Sequence, residues 1–212
     1  MNIVLLGPQG SGKGTQAHLL IEKLGLYYFE AGSFLREAAK ANPAIDQLVN
    51  KEGKLVDDET MTKLITAHFA QEEVSGNILF DGFPRTLNQY HVLETILSGL
   101  GQRIDCVVLL TLSEAETIRR LSARRIDSKT GITYNLVTNP PPASVDPTDL
   151  ITREDDQPEK IKQRLAVYHE KTAPIIAVAR EHGLLVEING EQAIEAIHEQ
   201  IIAALREKGL SA

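Results

Sequence analysis

The sequence predicts an α/β protein: a parallel, doubly wound sheet of about five strands with helices on both faces. Three observations carry that reading. Continuous apolar runs recur at Ile3–Leu6, Tyr27–Phe29, Ile78–Phe80, Cys106–Leu110 and Leu184–Ile188, the pattern of strands buried on both faces. Helical patterns lie between the runs, and such alternation leads to parallel pairing through right-handed crossovers. The first run opens directly into a glycine-rich turn, Gly7-Pro8-Gln9-Gly10-Ser11-Gly12-Lys13-Gly14-Thr15.

That turn has the context of a phosphate-binding loop, strand before and helix after. Glycines at 7, 10, 12 and 14 let the backbone curl so that several N–H groups converge on one anion. The helix Lys13–Leu24, with Ala17, Leu20, Ile21 and Leu24 on one stripe, brings its positive end to the same spot. Lys13 adds a point charge for the terminal phosphates of a nucleoside triphosphate. The general pattern has Ser or Thr straight after the lysine; here Gly14 precedes Thr15.

After the weaker strand Tyr27–Phe29, residues 31–56 read as short helical pieces without a core strand, ending in Gly53-Lys54-Leu55-Val56. The helix Asp58–Glu73 opens on acids and carries Met61, Leu64, Ile65 and Phe69. The strand Ile78–Phe80 runs into Asp81-Gly82-Phe83-Pro84-Arg85. In open α/β sheets ligands bind beyond the carboxyl ends of strands. An acid there can orient magnesium through water, and an arginine can grip a second phosphate. Asp-Gly alone is also a common turn; beside a phosphate loop the motif becomes more specific.

Leu87–Leu97 reads as a helix, and Cys106 as a small buried hydrophobe in its strand. The pattern Glu114–Arg125 predicts a helix with Arg120 and Arg124 on one face, presenting two guanidiniums to one polyphosphate. Residues 126–152 are rich in Pro, Thr, Asp and Asn, and Gly131–Val137 alternates as in a small β-hairpin. Arg120, Arg124 and Arg125 precede this insertion; Arg153 and Arg164 follow it. The bracketing fits a lid that brings positive charge over a site, and a loose surface insertion is the plainer alternative. Glu159–Glu181 reads as one long helix that Pro174 should perturb, and Gln192–Lys208 as the last helix.

Composition narrows the function. At 212 residues the chain suits one domain with small insertions. A net charge of −7 argues against a surface-wide nucleic-acid or anionic-membrane partner. No apolar stretch reaches membrane-spanning length, and the start is a strand rather than a signal segment, so cytoplasm is expected. One cysteine allows neither an intramolecular disulfide nor a four-cysteine zinc site. The six histidines are scattered without metal-ligand spacing.

These motifs together resemble the adenylate kinase family almost end to end: Gly7–Thr15 with Gln16, Gly32-x-x-Leu35-Arg36, Gly53–Val56, Asp81–Thr86 with Gln89, Arg120-x-x-x-Arg124-Arg125, Arg153-x-Asp155-Asp156 and Arg164. The resemblance implies a P-loop nucleoside kinase fold. Its core would be residues 1–29, 59–121 and 159–212, with a helical monophosphate-binding segment at 30–58 and a small β lid at 122–158. It implies the reaction MgATP + AMP to two ADP, in a monomer.

Carried over by position, Gly10, Ser11, Gly12, Lys13, Gly14, Thr15, Arg120, Arg124 and Gln192 would bind ATP. Ala31, Arg36, Lys54, Val56, Gly82, Arg85, Gln89, Arg153 and Arg164 would line the AMP site. Lys13, Arg85, Arg124, Arg153 and Arg164 would serve catalysis, and Asp81 would orient magnesium through water. The family usually has Thr at the position of Ala31 and Asp at that of Ser33. Some large lids of the family hold zinc with four cysteines; here none is expected. Asp127, Thr130, Asp146 and Thr148 stand near those ligand positions, and some of them are expected to form a polar staple between the lid's halves. Two other functions fit parts of the pattern: a kinase for another nucleoside monophosphate, or a nucleotide sensor without turnover. The arginine set weighs against a sensor, which needs no convergent charge for a moving phosphate.

Overall fold

The computed structural model describes residues 1–47, 56–71, 76–153 and 156–210. Its main sheet has five parallel strands: β1 (Ile3–Leu6), β2 (Tyr27–Glu30), β3 (Ile78–Asp81), β4 (Cys106–Thr111) and β8 (Leu185–Asn189), in the order β2-β3-β1-β4-β8. The apolar runs sit where the sequence puts them because each strand is covered on both sides. Val4, Leu6, Phe80, Val107 and Leu109 face one core. Ile3, Leu5, Leu79, Val108 and Leu110 face the other. That is the period-two alternation of a pleated strand, apolar at every step because neither face meets water.

The helices α1 (Lys13–Leu24) and α9 (Ile194–Glu207) cover one face through Ala17, Leu20, Ile197, Ile201 and Leu205. The other face is covered by α4 (Asp58–Gln71), α5 (Leu87–Gly99) and α8 (Ala173–Glu181), through Ile65, Phe69, Tyr90, Leu93 and Ile175. A fully buried leucine such as Leu20 contributes about 2–5 kcal/mol against alanine. The 31–47 stretch forms α2 (Ala31–Ala41) and the short α3 (Pro43–Asp46).

The insertion folds as a second, antiparallel sheet. It holds β5 (Arg124–Asp127), β6 (Thr133–Asn135) and β7 (Leu150–Ile151), in the order β6-β5-β7. The expected helix Glu114–Arg125 is therefore too long: α6 runs Glu114–Ser122, and Arg124 starts a strand. The expected single helix at 159–181 is broken. α7 (Pro158–Val167) leads into a π-helical stretch, Tyr168–Thr172, before α8. Pro174 explains it, because its missing N–H cannot continue the regular ladder. The N–H of Ala173 bonds instead to the Tyr168 carbonyl, five residues back.

Candidate active site

Two neighbouring strands deliver the first parts of the site. Leu5 and Asp81 are in register, so the glycine-rich turn after β1 and the Asp81–Arg85 turn after β3 leave the sheet side by side. Gly7 has φ 142°, and a Cβ there would stand 2.5 Å from the Leu110 carbonyl oxygen. Only glycine lets the loop pass this close to β4. Lys13 folds back over the turn, Nζ donating to the carbonyls of Gly7 (2.8 Å) and Pro8 (2.9 Å). One of its three protons is left for a ligand. The Ser11 hydroxyl is buried and has no hydrogen-bond partner among the described residues.

Burial lowers the Lys13 pKa to about 8; Asp81 opposes the shift, while Arg85, Arg164 and Arg124 add to it. These groups come from separate segments of the chain, yet all lie within electrostatic reach of one ammonium. Asp81 is 8% exposed, and Tyr28 donates its phenol hydrogen to Oδ2 at 3.2 Å. Burial raises the Asp81 pKa, the Lys13 ammonium opposes that, and Glu30, its register partner on β2, adds to it.

Arg85 is held at three points. Nε donates to the Gly82 carbonyl (2.7 Å), the backbone N–H donates to Gln89 Oε1 (2.8 Å), and the carbonyl accepts from Thr172 Oγ1 (2.8 Å). Burial pushes the guanidinium's pKa down; Asp81 and Glu30 resist, and Arg153 adds to the lowering. Gln89 donates its amide to Asp58 Oδ1 at 2.9 Å, which leaves one N–H and one lone pair for a ligand. Asp58 also accepts from the Thr86 hydroxyl and the Asn88 amide, tying the start of α4 to the start of α5.

Arg36 lies beside the next strand end. The Glu30 carboxylate caps α2, accepting from the N–H groups of Gly32 (2.9 Å) and Ser33 (2.7 Å) and from the Ser33 hydroxyl. Arg36 Nη2 donates to Ser33 Oγ (3.0 Å) and Glu30 Oε2 (3.3 Å). Ala31 and Val56 are buried in the core. Lys54 lies outside the described residues.

On the opposite flank, Arg120 Nη1 reaches the Gly10 carbonyl at 3.5 Å. Arg124, displaced from the expected helix face onto β5, meets Asp156 together with Arg164. The Gln192 amide turns away, bonding the Asn189 carbonyl (3.0 Å) and Gln200 (2.8 and 3.3 Å). The cross-lid staple is replaced by local turns. Asp127 accepts from Thr130 Oγ1 (2.7 Å), and Asp146 from Thr148 Oγ1 (2.7 Å), with no bond between the pairs among the described residues. The halves join through β5–β7 pairing, the Ser128 N–H on the Asp149 carbonyl (2.9 Å), and Lys129 on the Asp149 carboxylate (2.7 Å).

Sequence reasoning missed Glu30 and Glu116, which hold Arg36 and Arg120, and Asp58, which holds Gln89; it placed Asp156, which holds Arg124, in a motif without a role. Glu116 had a local signal, its spacing from Arg119 and Arg120. Asp58 and Asp156 act on residues far along the chain, so spacing could not reveal their roles.

The family model described as adenylate kinase matches residues 5–184. A protein of Kosmotoga olearia named adenylate kinase is 39% identical over 212 residues, covering 97% of this chain and 99% of its own. Proteins of the same name from Oceanobacillus iheyensis (36% identical; 98% and 100% covered) and Moorella thermoacetica (38%; 93% and 94%) are similarly close.

Proposed function

The chain belongs to the adenylate kinase family, and from that footing we propose that it catalyses reversible phosphoryl transfer from MgATP to AMP, giving two ADP. The convergence of Lys13, Arg85, Arg124 and Arg164 on one site carries the reading. Phosphoryl transfer needs alignment and charge neutralisation more than a strong base. An acceptor phosphate oxygen attacks the γ-phosphorus, the bond to the bridging oxygen breaks, and that oxygen leaves on ADP.

In this reading the amides of Gly10–Thr15 and Lys13 hold the donor phosphates, with Arg120 and Arg124 above them and Gln192 near the donor base through its backbone. Arg36 and Arg85 bind the acceptor phosphate. Ala31, Lys54, Val56, Gly82 and Gln89 surround the rest of AMP, and Arg153 and Arg164 stand between the nucleotides. Asp81 suits a hydrated magnesium ion, since Oδ1 carries no hydrogen bond among the described residues and can accept one from a bound water. When bound with ATP, the metal supplies further neutralisation of phosphate charge. We read residues 30–58 as the acceptor segment and 122–158 as a lid that keeps water from the phosphates. With one cysteine in the sequence, the lid is read as zinc-free, and the protein as a cytoplasmic monomer without nucleic-acid or membrane partners.

A coupled assay of ADP formed from ATP and AMP tests this, with GMP, CMP and UMP as competing acceptors. Lys13→Ala should lower turnover at least about a hundredfold. No ADP from ATP and AMP would end the reading; better use of CMP or UMP than of AMP would reassign the acceptor.

A further inference from the structure

The structure assigns Glu116 a role as a positioning residue for the donor nucleotide: its carboxylate, released from capping its own helix, aims Arg120 at the phosphate loop. The spacing Ser113-x-x-Glu116 is that of a reciprocal helix cap, in which the glutamate accepts from the first residue's N–H. Half of that cap is made, with the Glu116 N–H on Ser113 Oγ at 3.3 Å. The other half is taken by a different residue. The Ser113 N–H donates to Glu191 Oε1 at 3.0 Å, from the loop after β8.

Glu116 is thereby free to turn along the helix. Its Oε2 accepts from Arg119 Nε, and its Oε1 from both Arg119 Nη2 and Arg120 Nε, each at 2.6 Å. An i,i+4 ion pair on an open helix face contributes little. This one differs in burial: the Glu116 and Arg120 side chains are 15% and 12% exposed, whereas Arg119 is 48% exposed at the rim. Hydrogen bonds from Arg119 and Arg120 hold the Glu116 carboxyl down to about 2, so it stays charged wherever the protein works.

Fixing Nε of a planar guanidinium fixes where its two terminal nitrogens point. Arg120 Nη1 points at the Gly10 carbonyl, so its remaining donors stand beside the loop that faces phosphate. The loop carrying Glu191 is equally close. A Cβ on Gly190 would come within 2.8 Å of the Thr111 carbonyl oxygen and 3.1 Å of that of Ser11. The two glutamates thus divide the work at one end of α6: Glu191 caps the helix and Glu116 orients the arginine.

This role rests on the donor-side reading of Arg120, and its test separates the two. ATP and AMP are varied independently for Glu116→Gln, Arg120→Ala and the double variant, with melting temperatures alongside. Glu116→Gln should raise KM for ATP about three- to tenfold, with KM for AMP and kcat within about twofold. The double variant should bind ATP no worse than Arg120→Ala alone. If Arg120→Ala raises KM for ATP and Glu116→Gln does not, the positioning role falls and the reading of Arg120 stands. An unchanged KM for ATP in Arg120→Ala removes both. Equal rises in both KM values with a lowered melting temperature would make Glu116 merely structural and overturn the assignment.

Discussion

Arg124 and Asp156, 32 residues apart in the chain, close a forked ion pair: Nε donates to Oδ2 at 2.7 Å and Nη2 to Oδ1 at 2.5 Å. The Asp156 side chain has no exposure, and Arg164 Nη1 adds a third contact at 3.4 Å. One buried carboxylate therefore fixes two of the cations that face Lys13.

Asp156→Asn keeps the shape and removes the charge. Two part-buried guanidiniums then lose the Asp156 charge, which should lower stability by about 1.5–3 kcal/mol. Misaimed arginines should also lower kcat at least about tenfold. Urea unfolding and saturating turnover check the two effects. Stability loss with intact turnover would reduce the pair to a structural contact.

Lys13 should set an alkaline limit. With its pKa lowered to about 8 by burial and the nearby arginines, the ammonium is lost as pH rises through that value. The pH profile of kcat/KM for ATP should fall there, and that of kcat at higher pH, because bound phosphate holds the proton. The stability sign follows. The folded pKa lies below the ordinary 10.5, so burying the charge opposes folding at neutral pH, and the opposition fades between about 8 and 10.5. Lys13→Met should melt no lower than the parent at pH 7 while losing turnover, and this advantage should shrink toward pH 10. A variant that melts well below the parent at pH 7 would contradict the sign.

Gln89→Glu sets a second carboxylate where the Gln89 amide now lies 2.9 Å from Asp58. The repulsion and the lost hydrogen bond should lower stability by about 1–3 kcal/mol at pH 7. Acidification that protonates one of the two acids should relieve it. Urea midpoints at pH 7 and pH 5 measure the difference, and equal losses at both would rule out charge repulsion as the cause.

The separate Asp127 and Asp146 turns of the antiparallel insertion predict additivity. Asp127→Ala and Asp146→Ala should each lower stability by about 0.5–2 kcal/mol, as for a lost cap. Their double-mutant coupling should stay within about 0.5 kcal/mol. A coupling above about 1 kcal/mol would restore the cross-lid staple.

The sheet was legible because burial on both faces leaves a one-dimensional trace, and α1 was legible to the residue because Gly12 and Gly25 bound it in left-handed conformations. The glycine-rich turn after β1 and the Asp81–Arg85 turn after β3 were legible for a similar reason: each is a local motif at a strand end. Arg124 was misplaced because Leu121, Ala123 and Arg124 are all good helix formers, so local propensity extends α6 past its end. What decides it is pairing with Asn135 on β6 and, two residues on, of Ile126 with Ile151 on β7, contacts no window on the sequence contains. Pro174 announced a disturbance but not its form. Asp58 stayed hidden for the same reason as the strand: it reads as an ordinary acid at a helix start, and its work on Thr86, Asn88 and Gln89 exists only after folding.

The π-helical stretch between α7 and α8 stores one residue. Its hydrogen bond spans five residues where an α turn spans four, so the wider turn takes up an extra residue for nearly the same rotation. α8 is locked to the core by Ile175 and Ala179, while α7 carries Arg164 toward Asp156. Deleting one residue from 168–171 would therefore return a regular helix with the two segments close to their present phase, and Arg164 would keep its carboxylate. The stretch is a slack turn: one residue of chain length can be lost there without drawing the arginine off its anchor.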